Sequence, residues 1–404
     1  MVNNFIRSRT KAWYEDREVV YSFPDSWTLR VFSPQSQKTI DERQIYNSIQ
    51  TPIGRAPLFA DLKPHTKVCI LSDDISRPTR TDLIIPVLLQ ILRESGVQEK
   101  NVQIVIASGT HPGMNTREKV LKFGQKVCAR VQILDHNYEG PLQYRGQTSL
   151  GTAIYVNESV AKSDFVIGVG GIYAAQKAGF SGGAKLILGA CGSDTIRHFH
   201  SRRRGVERGG SVENEFRKDL LEAARLCGLR FIVNNLLSQD REVTDIFAGD
   251  PQEAFLAGVE KARRTYAAPD PNNLLLDMVV ADAYPFDASC VFTRKGWWPL
   301  KRCQADCHRL LLSAIPKGVG DHGLFPFVPH RRHKLLEWLR RHMRKTLARP
   351  MVFFHSLNTN PQAPDPSIQF TNDLAHYLQS LEAAMNKQEF TVGFYRASSL
   401  LYPS

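Results

Sequence analysis

From residue 68 onward, short apolar runs alternate with segments of helical periodicity, and this alternation limits the fold more than any other feature. Residues 68–71, 102–107, 131–134, 165–169 and 231–233 read as buried strands. Residues 81–94, 117–123, 212–227 and 251–265 carry the three-to-four-residue apolar spacing of helices, with Pro86 expected to bend the first of them or tighten its first turn. Strands separated by helices of this length imply right-handed βαβ units and a largely parallel sheet. Two further runs near the start, 19–23 and 28–32, read as a hairpin, and 39–49 as a helix.

A Pro/Asn-rich stretch, Ala267-Ala268-Pro269-Asp270-Pro271-Asn272-Asn273, interrupts the pattern and is the best linker candidate. Beyond it the pattern resumes, with strands at 274–281, 310–315 and 351–354 and helices at 334–345 and 371–384. The expected fold class is therefore α/β: two α/β domains with mainly parallel sheets and an active site in the cleft between them. The expected boundaries are 1–268, 274–389 and a terminal strand or tail, 390–404, returning to the first domain.

Composition narrows the function. With 42% hydrophobic and 23% charged residues the chain is an ordinary globular one, not a disordered or fibrous one. Its longest nearly uncharged apolar stretch, 165–175, falls well short of the roughly 20 residues a bilayer span needs. The N-terminus has basic residues but no apolar core of a secretory signal, and seven scattered cysteines do not form a disulfide framework. The expectation is a reduced, cytoplasmic protein with no membrane partner. A net charge of +12, concentrated in 197–208 and 331–349, admits nucleic acid. With no aromatic-interleaved or helix-turn-helix pattern beside either cluster, a field that attracts small anions is the preferred reading.

Three strands run into polar or glycine-rich loops: Ser72-Asp73-Asp74-Ile75-Ser76-Arg77-Pro78, Ser108-Gly109-Thr110-His111-Pro112-Gly113, and Gly170-Gly171 followed by Ala178-Gly179-Phe180-Ser181-Gly182-Gly183-Ala184-Lys185. In a parallel sheet these loops share the carboxyl edge, where ligands bind. The third is neither a dinucleotide fingerprint, since Tyr173 stands where a glycine is needed, nor a phosphate loop with Gly-Lys-Ser/Thr order. It is either a tight turn needing positive φ or a nest of N–H groups for an anion, with a lysine beside it. By themselves, His198 and His200 read as surface residues of a basic helix. Cys303-Gln304-Ala305-Asp306-Cys307-His308 lacks the second ligand pair of a zinc site and reads as a buried helix face.

Taken in order, Ser-Asp-Asp-Ile-Ser-Arg-Pro, Ser-Gly-Thr-His-Pro, Ala-Gly-Phe-Ser-Gly-Gly-Ala-Lys and Thr-Ile-Arg-His-Phe-His resemble the lactate racemase family, nickel-pincer-nucleotide enzymes that racemise or epimerise 2-hydroxy acids. The likeness continues through Phe247–Asp250, Ala283-Tyr284-Pro285-Phe286-Asp287, Lys295-Gly296 and Gly320-Asp321-His322-Gly323. The resemblance implies that Lys185 carries the cofactor, a pyridinium-3,5-bisthiocarboxylic acid mononucleotide, covalently. It implies that His200 ligates Ni2+, and that Ser181, Gly182 and Gly183 cradle the cofactor phosphate. Asp74 and Arg77 match cofactor- and substrate-handling positions, His111 a catalytic base, and Lys295 a residue of the substrate region. The implied partners are a small anionic 2-hydroxy acid and, transiently, the cofactor-synthesis enzymes.

The chain also departs from that pattern. Lactate racemases carry a second catalytic histidine where this chain has Ala175, with Tyr173 and Lys177 nearby in sequence. They carry Tyr and Gln where it has Val291 and Phe292, followed by Trp297 and Trp298. These differences imply a substrate other than lactate, with the tryptophans either shaping the pocket or packing an interface. The alternatives are a cofactor-bearing relative with altered 2-hydroxy-acid chemistry and a non-catalytic binder of cofactor or hydroxy acid.

Overall fold

The computed structural model describes residues 4–201, 206–318, 320, 351–355, 368–385 and 389–404. The arginine-rich 331–349, the helix expected at 334–345, part of 197–208 and the motif beyond Gly320 lie outside the described residues. The chain divides into two compact units, Ser36–Thr265 and Met1–Gln35 with Tyr266–Ser404. No helix among the described residues is long and apolar enough to cross a membrane.

The Ser36–Thr265 unit is built on a six-stranded sheet ordered Val243–Gly249, Leu229–Leu237, Phe165–Gly171, Val68–Ser72, Val102–Ile106, Gln132–Asp135. All neighbours are parallel except the Val243 edge strand. The Val68 and Phe165 strands are buried at every position, as expected of strands covered on both faces. The helix Thr81–Glu94 runs unbroken through Pro86 and buries Ile84, Ile85, Leu88, Ile91 and Leu92. Each such side chain contributes about 1.5–3 kcal/mol. From the Val68 strand the chain adds strands outward on one side (Val102, Gln132), then returns to add Phe165 and Leu229 on the other. The order therefore reverses between the Val68 and Phe165 strands, and the loops at their carboxyl ends open a crevice there.

The second unit holds a wholly parallel six-stranded sheet ordered Ile368–Thr371, Met351–Phe354, His308–Leu312, Met278–Asp282, Phe390–Tyr395, Trp27–Phe32. This corrects the expected boundaries. Residues 4–35 belong here rather than to a 1–268 domain, and of the 390–404 tail Phe390–Tyr395 pairs into this same sheet while Tyr402–Pro403 pairs with Ala267–Ala268 of the same unit. The cause is long-range pairing: Phe390–Tyr395 lies in register with Trp27–Phe32, and Trp27 stacks on Phe390 at 4.3 Å between ring centroids. The expected hairpin is displaced accordingly, forming between Phe5–Thr10 and Arg17–Ser22. Alternate residues of the Met278 strand face two cores. Val279 and Ala281 meet Trp297, Trp298 and Leu300, while Met278 and Val280 meet Ile6, Tyr21 and Phe23 from the hairpin side.

Candidate functional site

The crevice of the Ser36–Thr265 unit gathers most of the singled-out residues. Asp74 follows the Val68 strand and is 4% exposed, and its Oδ2 lies 2.5 Å from His111 Nδ1 in the loop after the Val102 strand. Ser76 donates both its N–H (2.8 Å) and its hydroxyl to the other Asp74 oxygen, and Arg77 Nη1 donates to that hydroxyl oxygen at 2.7 Å. Burial pushes the Asp74 carboxyl up, but His111, Arg77 and Ser76 outweigh it and hold the carboxyl well below the usual range. A carboxylate fixed on one ring nitrogen orients the imidazole and supports it as a base through the other.

The loop itself is held by a pair that sequence reasoning missed. Lys122, from the helix Thr116–Phe123, is fully buried and donates to Asp73 Oδ1 (2.7 Å), Arg77 O (3.1 Å) and Thr79 O (3.2 Å). Thr79 donates its hydroxyl to the second Asp73 oxygen at 2.5 Å. Burial raises the Asp73 carboxyl and lowers the Lys122 amine, each countered by the other's charge. Sequence periodicity places Lys122 on a helix without saying which way it faces.

The loop bearing His111 also touches the segment that bears Lys185. Gly109 N–H donates to Gly189 O at 2.8 Å, and a Cβ on Gly189 would lie 2.3 Å from Ala107 O, so only glycine fits. Lys185 lies on the 3-10 segment Gly183–Ala190. It is partly exposed, yet desolvation, followed by Arg77 and Arg217, brings its amine down to about 7. His200 occupies the last turn of the helix Ser193–Ser201, and its Nδ1 donates to Ile196 O at 2.8 Å. That leaves Nε2 to carry the lone pair of a neutral imidazole. Desolvation lowers the His200 pKa, and nearby Lys185 and Lys177 add to the effect. Lys185 and His200 are therefore electrostatic neighbours.

The expected phosphate nest is largely spent within the protein. Ser181 N–H donates to Tyr173 O (2.8 Å), Gly183 N–H to Asn234 Oδ1 (2.8 Å), and the Ser181 hydroxyl to Gly171 O (2.6 Å). Of the three amides, Gly182 N–H alone has no acceptor among the described residues. Ala175 sits in a two-residue strand paired with Gly179. Lys177 donates its amine to His200 O at 2.5 Å, tying this turn to the end of the helix that carries the histidine. Tyr173 is buried, and its phenol is pushed up to about 12 by burial, against the pull of Arg77.

Lys295 lies in the other unit, on the short segment Arg294–Gly296, with its amine 5.3 Å from the centroid of the Phe286 ring. Trp297 and Trp298 are core residues of that unit, 2% and 8% exposed, and their indole N–H groups donate to Thr293 Oγ1 and Ser398 O. They pack the core of that unit. Val291 joins the same core, while Phe292 stays partly exposed. The Cys303 and Cys307 thiols are buried against one another in this core, but they flank a turn between the helix Trp298–Arg302 and the strand His308–Leu312 rather than forming the expected helix face. No group of three or more His, Cys, Asp or Glu side chains converges among the described residues.

The fold and site together define an α/β protein whose switch-point crevice holds an Asp–His pair, a lysine of lowered basicity and a neutral histidine. Residues 14–209 match the lactate racemase N-terminal domain. Lactate racemase of Lactiplantibacillus plantarum is 28% identical over 298 residues, 71% of this chain and 69% of that protein. That of Thermoanaerobacterium thermosaccharolyticum is 27% identical over 295 residues, covering 70% and 68%. The structure of the latter organism's lactate racemase apoprotein matches with a TM-score of 0.75 at 20% identity, over 99% of this chain and 100% of that one. A Thermotoga maritima protein of known crystal structure matches with a TM-score of 0.64 at 16% identity, over 91% and 100%. The two structural likenesses establish the fold. Residues 14–209 thus match a lactate racemase domain, and the chain is similar to lactate racemases over about 70% of its length.

Proposed function

We propose that this chain is an isomerase that racemises or epimerises a 2-hydroxy acid other than lactate, using a nickel-pincer nucleotide attached to Lys185. The observation that carries the reading is the Asp74–His111 pair in the same crevice as Lys185 and His200, in a chain similar to lactate racemases.

The residues fit such a group. Attachment needs an amine that is nucleophilic near neutrality, and the lowered basicity of Lys185 supplies it. A metal at this position needs an imidazole lone pair, and His200 has Nε2 to offer because its Nδ1 proton is engaged by Ile196 O. Nitrogen and sulfur donors suit Ni(II). A one-histidine site draws its remaining donors from the bound group. When bound, the group supplies a hydride acceptor for C2–H, which is not acidic enough for removal as a proton.

The chain's own residues do the rest. Arg77 presents a guanidinium that can hold the substrate carboxylate through two hydrogen bonds. His111 Nε2 takes the hydroxyl proton while Asp74 stabilises the imidazolium on the opposite nitrogen. Lys295 serves the substrate region, as the family resemblance implies. The excess positive charge draws an anionic substrate inward. The seven cysteines are all free, which suits a reducing cytoplasm.

A second reading rests on Ala175, which cannot move a proton where the family resemblance implies a second histidine. It is a cofactor-bearing relative that releases the keto acid and passes the two electrons to a separate acceptor, such as an added redox dye in the assay. Both are tested with single enantiomers of 2-hydroxy acids deuterated at C2, given to the loaded enzyme and resolved by chiral chromatography and mass spectrometry. The racemase reading predicts both enantiomers with deuterium retained at C2. Accumulating keto acid favours the second reading, and deuterium lost to solvent contradicts both.

A further inference from the structure

The loop that presents Lys185 contains three positive-φ glycines, Gly179, Gly182 and Gly183, and the side chain that bonds most of its carbonyls from outside is Arg217. Arg217 stands in the first turn of the helix Glu215–Leu226, its own N–H capped by Asn214 Oδ1 at 2.9 Å. The side chain is buried. Its Nε donates to Ala178 O (3.2 Å), Nη1 to Gly182 O (3.0 Å), and Nη2 to Phe180 O and, at 3.5 Å, to Ser181 O. The guanidinium also lies 3.9 Å from the centroid of the Phe255 ring. That same ring fills the space beside Gly183, where a Cβ would come within 2.7 Å of it. The loop is therefore gripped between a five-donor fork and an aromatic wall.

No carboxylate among the described residues accepts from Arg217. A buried arginine ordinarily has an acid partner, because an uncompensated charge in a poorly solvated site is costly. Here four carbonyl dipoles replace the acid, so the guanidinium keeps its net field. The guanidinium lies beside the Lys185 main chain, because the Lys185 backbone N–H and Arg217 Nη1 both donate to Gly182 O, and its charge reaches the Lys185 amine as well.

We propose that Arg217 is the positioning residue for Lys185: its fork fixes residues 178–182 in the shape that presents the lysine, and its unneutralised charge favours the uncharged amine. The proposal rests on Lys185 being the attachment residue and adds what prepares it. The charged groups acting on the amine are Arg77 from the loop after the Val68 strand and Arg217 from its helix, with the titratable but neutral His200 nearby on the helix Ser193–Ser201. Desolvation and both guanidiniums act on the lysine in one direction.

The test uses the full-length chain without cofactor. Acetic anhydride acylates amines only as free bases, and the rate at Lys185 is read by peptide mass spectrometry from pH 6 to 10, with exposed Lys100 as the reference in the same sample. Wild type should show a midpoint near neutrality. Arg217→Gln should move the midpoint up by about one pH unit, roughly a tenfold slower reaction at pH 7. Arg217→Lys keeps the charge but loses the fork, so its midpoint should stay within about 0.3 unit of wild type while amides 179–185 exchange faster. A residue that merely braces the loop would move both readouts together. An Arg217→Gln profile that superimposes on wild type overturns the proposal, as does a wild-type Lys185 no more reactive than Lys100 at pH 7. If Arg217→Gln does not fold, Arg217→Lys decides: a midpoint raised by a full unit overturns the charge role. Failure of the underlying assignment looks different, as a cofactor adduct that persists in Lys185→Ala.

Discussion

Both six-stranded sheets place acidic residues at the carboxyl end of the strand where the strand order reverses, yet the two units treat them in opposite ways. In the Ser36–Thr265 unit Asp73 accepts from the Lys122 amine and Asp74 pairs with the His111 imidazole, and Asp74 is held well below the usual carboxylate range. In the other unit Asp282 accepts from the Ser8 hydroxyl and Tyr284 N–H, and Asp287 from Lys11 N–H (2.6 Å) and Ala12 N–H (3.1 Å). With neutral donors, burial pushes Asp282 up to about 7 and Asp287 up to about 6. One switch point keeps its charge for chemistry; the other uses carboxyl groups as pins for the N-terminal hairpin. Similar backbone topology thus fixes where polar residues gather, and the choice of partner decides what they do.

The sharpest way to break this comparison is at Asp74. Asp74→Asn removes the charge that supports His111 and should lower the turnover rate by roughly 10²–10⁴-fold with little change in melting temperature. A rate within threefold of wild type would mean the pair is not the base. Next comes Lys122→Met, which leaves Asp73 buried without its cation and should cost about 3–5 kcal/mol in denaturant unfolding. Adding Asp73→Asn should recover part of that loss, and no recovery would show that the pairing is not what Lys122 provides.

The pin side predicts a pH dependence of opposite sign. Asp282 and Asp287 bind protons more tightly folded than unfolded, so their unit loses stability as pH rises from about 4 to about 7 and changes little above. Asp74 is depressed, so its contribution is present above about pH 4 and is lost only as the medium becomes more acidic. Asp282→Asn should flatten much of the slope between pH 4 and 7, and an unchanged slope would remove Asp282 from the account. The smallest expected effect is Trp297→Phe, which gives up the bond to Thr293 and should cost about 1 kcal/mol. A change in substrate preference with no loss of stability would return Trp297 to the pocket.

What was legible in the sequence was local. The Val68 strand and the helix Thr81–Glu94 carry apolar patterns strong enough to mark their own limits, and the loops with Asp74, His111 and Lys185 follow from where strands end. What was not legible depends on partners distant in sequence. The Trp27 strand looks like half of a local hairpin until Phe390–Tyr395 is beside it, which is why the first 35 residues were expected in the wrong unit. Lys122 and Arg217 lie on amphipathic helices where a cation ordinarily faces water, and only the fold turns them inward. The Ser181–Gly183 segment has the composition of an anion nest, but its donors go to Tyr173, Asn234 and Gly171, contacts that spacing does not encode.

The central claim is that Lys185 and His200 hold a nickel-bearing nucleotide for hydride chemistry. Its most direct test is intact mass with nickel quantification on the chain co-expressed with the cofactor-synthesis enzymes, comparing wild type with Lys185→Ala. The account predicts a mass adduct with about one nickel per chain, absent in the variant. No adduct and no nickel, from a host shown to load a lactate racemase, would contradict it.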